Sequence, residues 1–239
     1  MNTKSRIGII GAMDSEIERL VSRLENKKET EVSGYAFHSG VLCGRPVIIL
    51  KCGVGKVNAA RGTQLLIDRF APDAILNTGI AGAASPDLHV GDAVIASGLV
   101  QHDFDVTAFG YAPGYLCTGV DHDKPTVFQP DKDLSDMLTK EAGQILKEAS
   151  VKEGIIATGD VFVADAQKRS YLCSQFNAVA VDMESAAIAQ TASCAAMPFA
   201  VLRVISDNAD GEAAEISDQF EADTAKRSAE IIMGSLSHF

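Results

Sequence analysis

Phe199–Asp207 reads FAVLRVISD, an apolar run closed by a serine and an acid. An uninterrupted Val/Leu/Ile run is the pattern of a strand buried on both faces, as in sheets covered by helices on either side. Strands of that kind present their terminal residues to a ligand crevice. Asp207 is therefore a candidate for proton chemistry, and equally a candidate cap for the turn that follows. Arg203, charged within the same run, needs a polar partner or water if it is buried.

The same grammar extends in both directions. Arg6–Met13 (RIGIIGAM) is a short apolar strand, and Asp14–Leu24 follows as an amphipathic helix with Ile17, Leu20, Val21 and Leu24 on one face. Tyr35–Leu42 and Pro46–Cys52 form a hairpin around Cys43-Gly44, and GVGK leads into a helix over Val57–Phe70. Further strands are expected at Ala74–Thr78, closed by the glycine-rich GIAGAAS, and at Asp92–Ala96, Gly154–Thr158 and Ala178–Val181. Helices are expected at Asp133–Ala149, near Ala166–Phe176, at Glu184–Cys194 and from about Ser217. Alternating strands and helices after an early hairpin indicate α/β class, a three-layer α/β/α sandwich around a central mixed β-sheet. No shift in composition marks a boundary, so residues 1–239 are expected to form a single domain. Leu99–Pro130 stands apart, rich in Gly, Pro and aromatics with little periodicity, which suggests a lid or an interface.

The chain carries 21 Lys+Arg against 32 Asp+Glu, a net charge of −11. That balance argues against nucleic acid or an anionic membrane as partner, since both call for a basic patch. It favours a small neutral or cationic substrate. The five cysteines show no CxxC spacing, as expected of reduced thiols in the cytoplasm, and MNTKSR runs into a strand without a signal-peptide core.

Three strand ends carry acids: Asp14, Glu16 and Glu18 after the first strand, Asp182 and Glu184 after Ala178–Val181, and Asp207. Helix capping accounts for any one of them. Three in one sheet can converge on one crevice. GIIGAM lacks the third glycine of a dinucleotide fingerprint, and GVGKV lacks the first glycine and the Ser/Thr of a P-loop. The five histidines show no ligand spacing and there is no GxSxG elbow, which leaves carboxylates as the expected catalytic groups.

Eight blocks in order carry a family resemblance: IGIIGAMDSEI (Ile7–Ile17), GVGKVNAA (Gly53–Ala60), NTGIAG (Asn77–Gly82), VGDAVIAS (Val90–Ser97), HDFDVTAFGY (His102–Tyr111), TGDVFV (Thr158–Val163), VDMESAAIA (Val181–Ala189) and LRVISDNAD (Leu202–Asp210). In these the chain resembles the 5′-methylthioadenosine/S-adenosylhomocysteine nucleosidases of the nucleoside phosphorylase/hydrolase superfamily. The resemblance implies a nucleoside phosphorylase-like fold and hydrolysis of the N-glycosidic bond of methylthioadenosine, S-adenosylhomocysteine and 5′-deoxyadenosine. It implies that Glu16 is the base that activates water and Asp207 the acid that protonates N7 of adenine. Glu184 would hold the ribose hydroxyls, Met183 lie beside the sugar, Phe162 stack on adenine and the Val163 main chain pair with the purine edge. Ser206 would support Asp207, Arg203 help to place the water, and Met13, Ile80 and Gly82 line the site. Phe109, Tyr111 and Pro113 would be lent to the partner subunit of a homodimer. No cofactor or metal is implied.

A phosphorylase on the same fold, an aminofutalosine nucleosidase and a non-catalytic nucleoside-binding protein are the rival readings. Phosphorolysis requires cations around a phosphate, whereas the turn after the first strand here reads MDSEIE. Three positions depart from the commonest family pattern: Ile80 for a frequent serine, Asp182 for glutamate and Ser217 for phenylalanine.

Overall fold

The computed structural model describes residues 5–209 and 218–239. Ten strands and six α-helices are placed along these residues. β10 (Phe199–Asp207) is buried at every position. Phe199, Val201 and Ile205 join one aliphatic cluster, with Ala59 and Leu66 of α2 (Lys56–Phe70) and Ala186–Ala189 of α5 (Ser185–Cys194). Ala200, Leu202 and Val204 join a second, beneath α1 (Asp14–Ser22), α3 (Lys132–Ile145) and α6 (Asp218–Ser235). These are the two helical layers of the sandwich. Burying each Val, Leu or Ile stabilises the fold by about 1.5–3 kcal/mol. A one-residue slip would exchange the faces and drive Arg203 into the second cluster, so the register is strongly specified.

The sheet order is β2 (Glu25–Val32), β3 (Tyr35–Leu42), β4 (Arg45–Lys51), β1 (Ile7–Gly11), β5 (Ala74–Asn77), β10, β6 (Ile80–Ala83), β9 (Ala178–Asp182), β8 (Val151–Thr158) and β7 (Ala93–Gln101). β7 also pairs antiparallel with β10, so five strands close into a ring while the others form an open wing. β1 lies parallel to β4 and β5, and β10 parallel to β5 and β6. The sheet is mixed, as the hairpin and crossover pattern implied.

Two strands escape the pattern reading. β2 (ENKKETEV) is largely exposed and has no hydrophobic alternation, as suits an edge blunted by lysines. β6 lies in the glycine-rich stretch after β5, where small residues let its backbone sit between β10 and β9. Gln101, His102 and Leu99 belong to β7 or its immediate end, so the irregular segment is shorter than its sequence suggested. It is pinned at its far side by the backbone pair Leu99–Phe128. α4 (Ala166–Phe176) packs on β8 and β9 and completes the ring's cover. No helix among the described residues is long and apolar enough to cross a membrane.

Candidate active site

The ends of β1, β9 and β10 and the start of β6 meet at a cleft of about 260 Å³. Its walls include Met13, Glu16, Ile80, Gly82, Phe162, Met183, Glu184, Ser206 and Asp207. Val163 lines a smaller adjoining recess with Phe162, Gly82 and Asp207. The three acid-bearing strand ends therefore open onto one space.

Glu16, in the first turn of α1, folds back over the end of β1. Its Oε2 accepts hydrogen bonds from the Ala12 (2.6 Å) and Met13 (3.1 Å) amides, and its Oε1 accepts from Ile80 N (3.0 Å). Burial raises the Glu16 pKa, against the opposing pull of Arg203 and the three amides. Such a carboxylate is held in one orientation and is a stronger base than a solvated one. Gly79 makes this approach possible: a Cβ there would lie 2.3 Å from Glu16 Oε1. The turn is fixed from below by Ser228 of α6, whose hydroxyl lies 2.6 Å from Thr78 Oγ1 and accepts from Gly79 N at 3.3 Å.

Asp207 is aimed by a bulge. Ile205 pairs with Ala81 and Asp207 with Gly82, so Ser206 is an extra residue between adjacent pairings. Bulges of this kind re-aim a side chain next to a ligand. Asp207 Oδ1 accepts from Ala209 N (2.8 Å), and Ser206 Oγ lies 2.8 Å from Oδ2 and 3.4 Å from the Ala81 carbonyl. The serine hydroxyl can donate to an ionised Asp207. It can instead donate to Ala81 and accept from a protonated Asp207. Asp207 also caps the following turn through Ala209, so the two readings of this residue coexist.

Glu184 sits one residue before α5 and accepts from Gly55 N at 2.8 Å. Burial pushes its pKa up to about 7, with the neighbouring Asp182 charge adding to the rise and the Gly55 amide and Arg203 working against it. A carboxylate so poised gains from hydrogen-bond donors such as a sugar diol.

Arg203 is 2% exposed and lies behind the cleft wall. Its Nε donates to Asp182 Oδ2 (2.9 Å), its Nη2 to Asn77 Oδ1 (2.8 Å) and its Nη1 to the Leu202 carbonyl (3.0 Å). Its charge opposes the burial-driven rise in pKa at both Glu16 and Glu184. Asp182 also accepts from Thr158 Oγ1 (2.6 Å) and from the Ser185 amide and hydroxyl. It is both a cap for α5 and a wall of the cleft. The capping reading of the sequence missed the second role, although Asp182 ends a buried strand just as Asp207 does. Ala12, Val54, Ala81 and Val181 also line the cleft, and small or aliphatic residues carry no signal that could have singled them out.

Phe109, Tyr111 and Pro113 lie outside this cleft, on the segment after β7. Phe109 is 77% exposed. Tyr111 stacks edge-on against Tyr115 with ring centroids 5.2 Å apart.

Residues 6–237 match the profile of the phosphorylase superfamily. The chain is 43% identical over 227 residues to the 5′-methylthioadenosine/S-adenosylhomocysteine nucleosidase of Anoxybacillus flavithermus, covering 95% of each chain. The chain belongs to the 5′-methylthioadenosine/S-adenosylhomocysteine nucleosidase family. Among solved structures of this nucleosidase family, the Neisseria meningitidis protein in complex with methylthio-immucillin-A superimposes with a TM-score of 0.91 at 36% identity, covering 98% of this chain and 100% of that one. The Colwellia psychrerythraea nucleosidase in complex with adenine gives 0.91 at 38% identity, over 98% and 95%.

Against this nucleosidase background, Ile80 contributes its main-chain N–H to Glu16, a bond that needs no serine hydroxyl. Asp182 reaches Arg203 despite its shorter side chain. Ser217 lies outside the described residues.

Proposed function

We propose that the protein hydrolyses the N-glycosidic bond of 5′-substituted adenine nucleosides, methylthioadenosine and S-adenosylhomocysteine foremost, releasing adenine and the 5′-substituted ribose. The observation that carries hydrolysis over phosphorolysis is the charge of the cleft. Glu16, Asp182, Glu184 and Asp207 line it, and the described residues on its walls include no Lys, Arg or His. A phosphate dianion would meet four acids and no cation among the described wall residues, with Arg203 turned away to Asp182 and Asn77, whereas water and a developing ribosyl cation suit them.

In the proposed reaction the C1′–N9 bond breaks first, and its electron pair passes into the adenine ring as Asp207 transfers a proton to N7. Adenine thus leaves neutral. Glu184 binds the ribose hydroxyls, Met183 packs by the sugar, Phe162 stacks on the base and the Val163 main chain meets the purine edge. A water attacks C1′ of the oxocarbenium-like ribosyl centre, and its proton passes to Glu16. Two carboxylates with opposed protonation duties are the pattern of glycoside cleavage. Arg203, held by Asp182 and Asn77, would orient the water side of the site through its field on Glu16.

One domain spanning residues 1–239 would act as a symmetric homodimer in the cytoplasm. The partner would cover Phe109 and Tyr111, with Pro113 beside them, and each copy would receive these residues at its 5′-substituent pocket. Exposed Val57, Phe109, Val120 and Phe162 support a covering partner. A fully active monomer in sedimentation would end this part of the reading.

The experiment is adenine release from methylthioadenosine, S-adenosylhomocysteine, 5′-deoxyadenosine and inosine, with and without inorganic phosphate. The expected result is release from the adenine nucleosides at rates indifferent to phosphate. Release that requires phosphate overturns hydrolysis, and binding without release overturns turnover altogether.

A further inference from the structure

A charged cluster joins the start of α2, the end of β7 and the turn after β8, and the first and last of these lead to residues of the cleft. Lys56 opens α2, and its Nζ lies 2.6 Å from Asp103 Oδ1 and 3.0 Å from Gln101 Oε1. Its main-chain N–H donates to Asp160 Oδ1 (2.7 Å), and the Asp160 N–H donates in turn to Asp103 Oδ2 (2.9 Å). Gln101 is itself held by Gln190 of α5 at 2.6 Å. The Lys56 and Asp103 side chains are only 18% and 19% exposed, so solvent screens this pair less than a surface pair. Burial opposes the Asp103 charge, yet the Lys56 ammonium and the Asp160 amide hold its carboxyl below the usual range.

Two of the anchored segments lead to residues of the cleft, and the third runs on to the exposed Phe109. Gly55, next to Lys56, gives its N–H to Glu184; it has φ +96°, and a Cβ there would stand 3.1 Å from Asp160 Oδ1. Only a glycine lets two successive amides point at Glu184 and Asp160 without strain. Asp160 starts the turn that carries Phe162 and Val163. The His102 ring braces that turn from the other side: a Cβ on Gly159 would fall 2.5 Å from His102 Nε2. Asp103 begins the segment that runs on to Phe109, Tyr111 and Pro113.

We infer that Lys56 and Asp103 are positioning residues: their ion pair, closed through Asp160, sets the Gly55 amide against Glu184 and fixes the turn bearing Phe162 and Val163. The inference rests on the reading in which Glu184 holds the ribose. The cluster acts on substrate binding and touches none of the reacting atoms.

The test compares wild-type protein with Asp103→Asn, which is nearly isosteric, and Lys56→Met, using adenine release from methylthioadenosine between pH 5.5 and 8.5 and thermal melting as a check on folding. Losing a hydrogen bond to a charged group weakens binding on the order of 10- to 100-fold, so KM should rise by that factor while kcat changes far less. The acid limb of kcat/KM should also move to higher pH, because Glu184 loses the Gly55 amide while Asp182 and Glu16 still oppose its charge and Arg203 alone supports it. The double variant should be no worse than the worse single one. Folded variants with wild-type KM, or with an unmoved acid limb, overturn the inference. Absence of adenine release from the wild-type protein would instead overturn the nucleosidase reading, so the two failures are distinguishable.

Discussion

Gly79→Ala isolates the placement of Glu16. The added Cβ would stand 2.3 Å from Glu16 Oε1, 2.9 Å from Cδ and 3.3 Å from Oε2. Ordinary C···O contacts begin near about 3.3 Å, so the carboxylate must retreat by about 1 Å. The Ile80 N–H bond, now 3.0 Å, would then lengthen beyond hydrogen-bonding range. The Gly79 backbone lies outside the left-handed region, and the closest atoms belong to one side chain, so the fold itself has little to resist. Displacing a catalytic group by this amount lowers the rate by roughly 10²-fold, equivalent to about 2.7 kcal/mol of barrier. Melting temperature should move by no more than about 4 °C. The assay is steady-state adenine release from methylthioadenosine, with Glu16→Gln and the double variant alongside. If the loss runs through Glu16, the double variant matches Glu16→Gln. A Gly79→Ala protein with wild-type kcat would refute the reasoning that the amide cradle positions the base.

Other outcomes follow from the same geometry. With the Glu184 pKa pushed up to about 7 and that of Glu16 also raised, kcat/KM should fall as pH drops below about 7, the slope steepening toward about tenfold per pH unit, and a flat profile down to about pH 5 would contradict this. Both raised values mean that the folded chain binds more protons than the unfolded one above the ordinary carboxyl range. The unliganded protein should therefore lose stability as pH rises from about 4.5 through about 7, measured by urea unfolding. Arg203→Met leaves Asp182 buried without its cation and should destabilise the fold by about 3–5 kcal/mol, also read from urea unfolding. An Asp182→Asn partner change should recover part of that loss.

The sheet's centre was legible because burial on both faces writes itself into sequence as FAVLRVISD, and β10 is buried at every residue. The polar edge strand β2 and the short β6 were not, since one has no apolar alternation and the other is built of small residues that pair only in tertiary context. At the site, acids at strand ends were visible one by one, and their shared cleft followed from strand order. The bulge that turns Asp207 was not visible, because register depends on the partner strand. Nor was the Lys56–Asp103–Asp160 cluster, whose members are separated by 47 and 57 positions and meet only through the fold. Arg203 shows both sides of this: its need for a polar partner was plain, but Asp182 and Asn77 as the partners required the structure.

The most direct test of the account is adenine release from methylthioadenosine by Asp207→Asn against the wild-type protein in phosphate-free buffer. Asparagine keeps an acceptor for Ala209 N but has no proton of suitable acidity for N7. The account predicts a folded variant whose rate falls by roughly 10²-fold or more. A folded variant that retains near-normal release would contradict it.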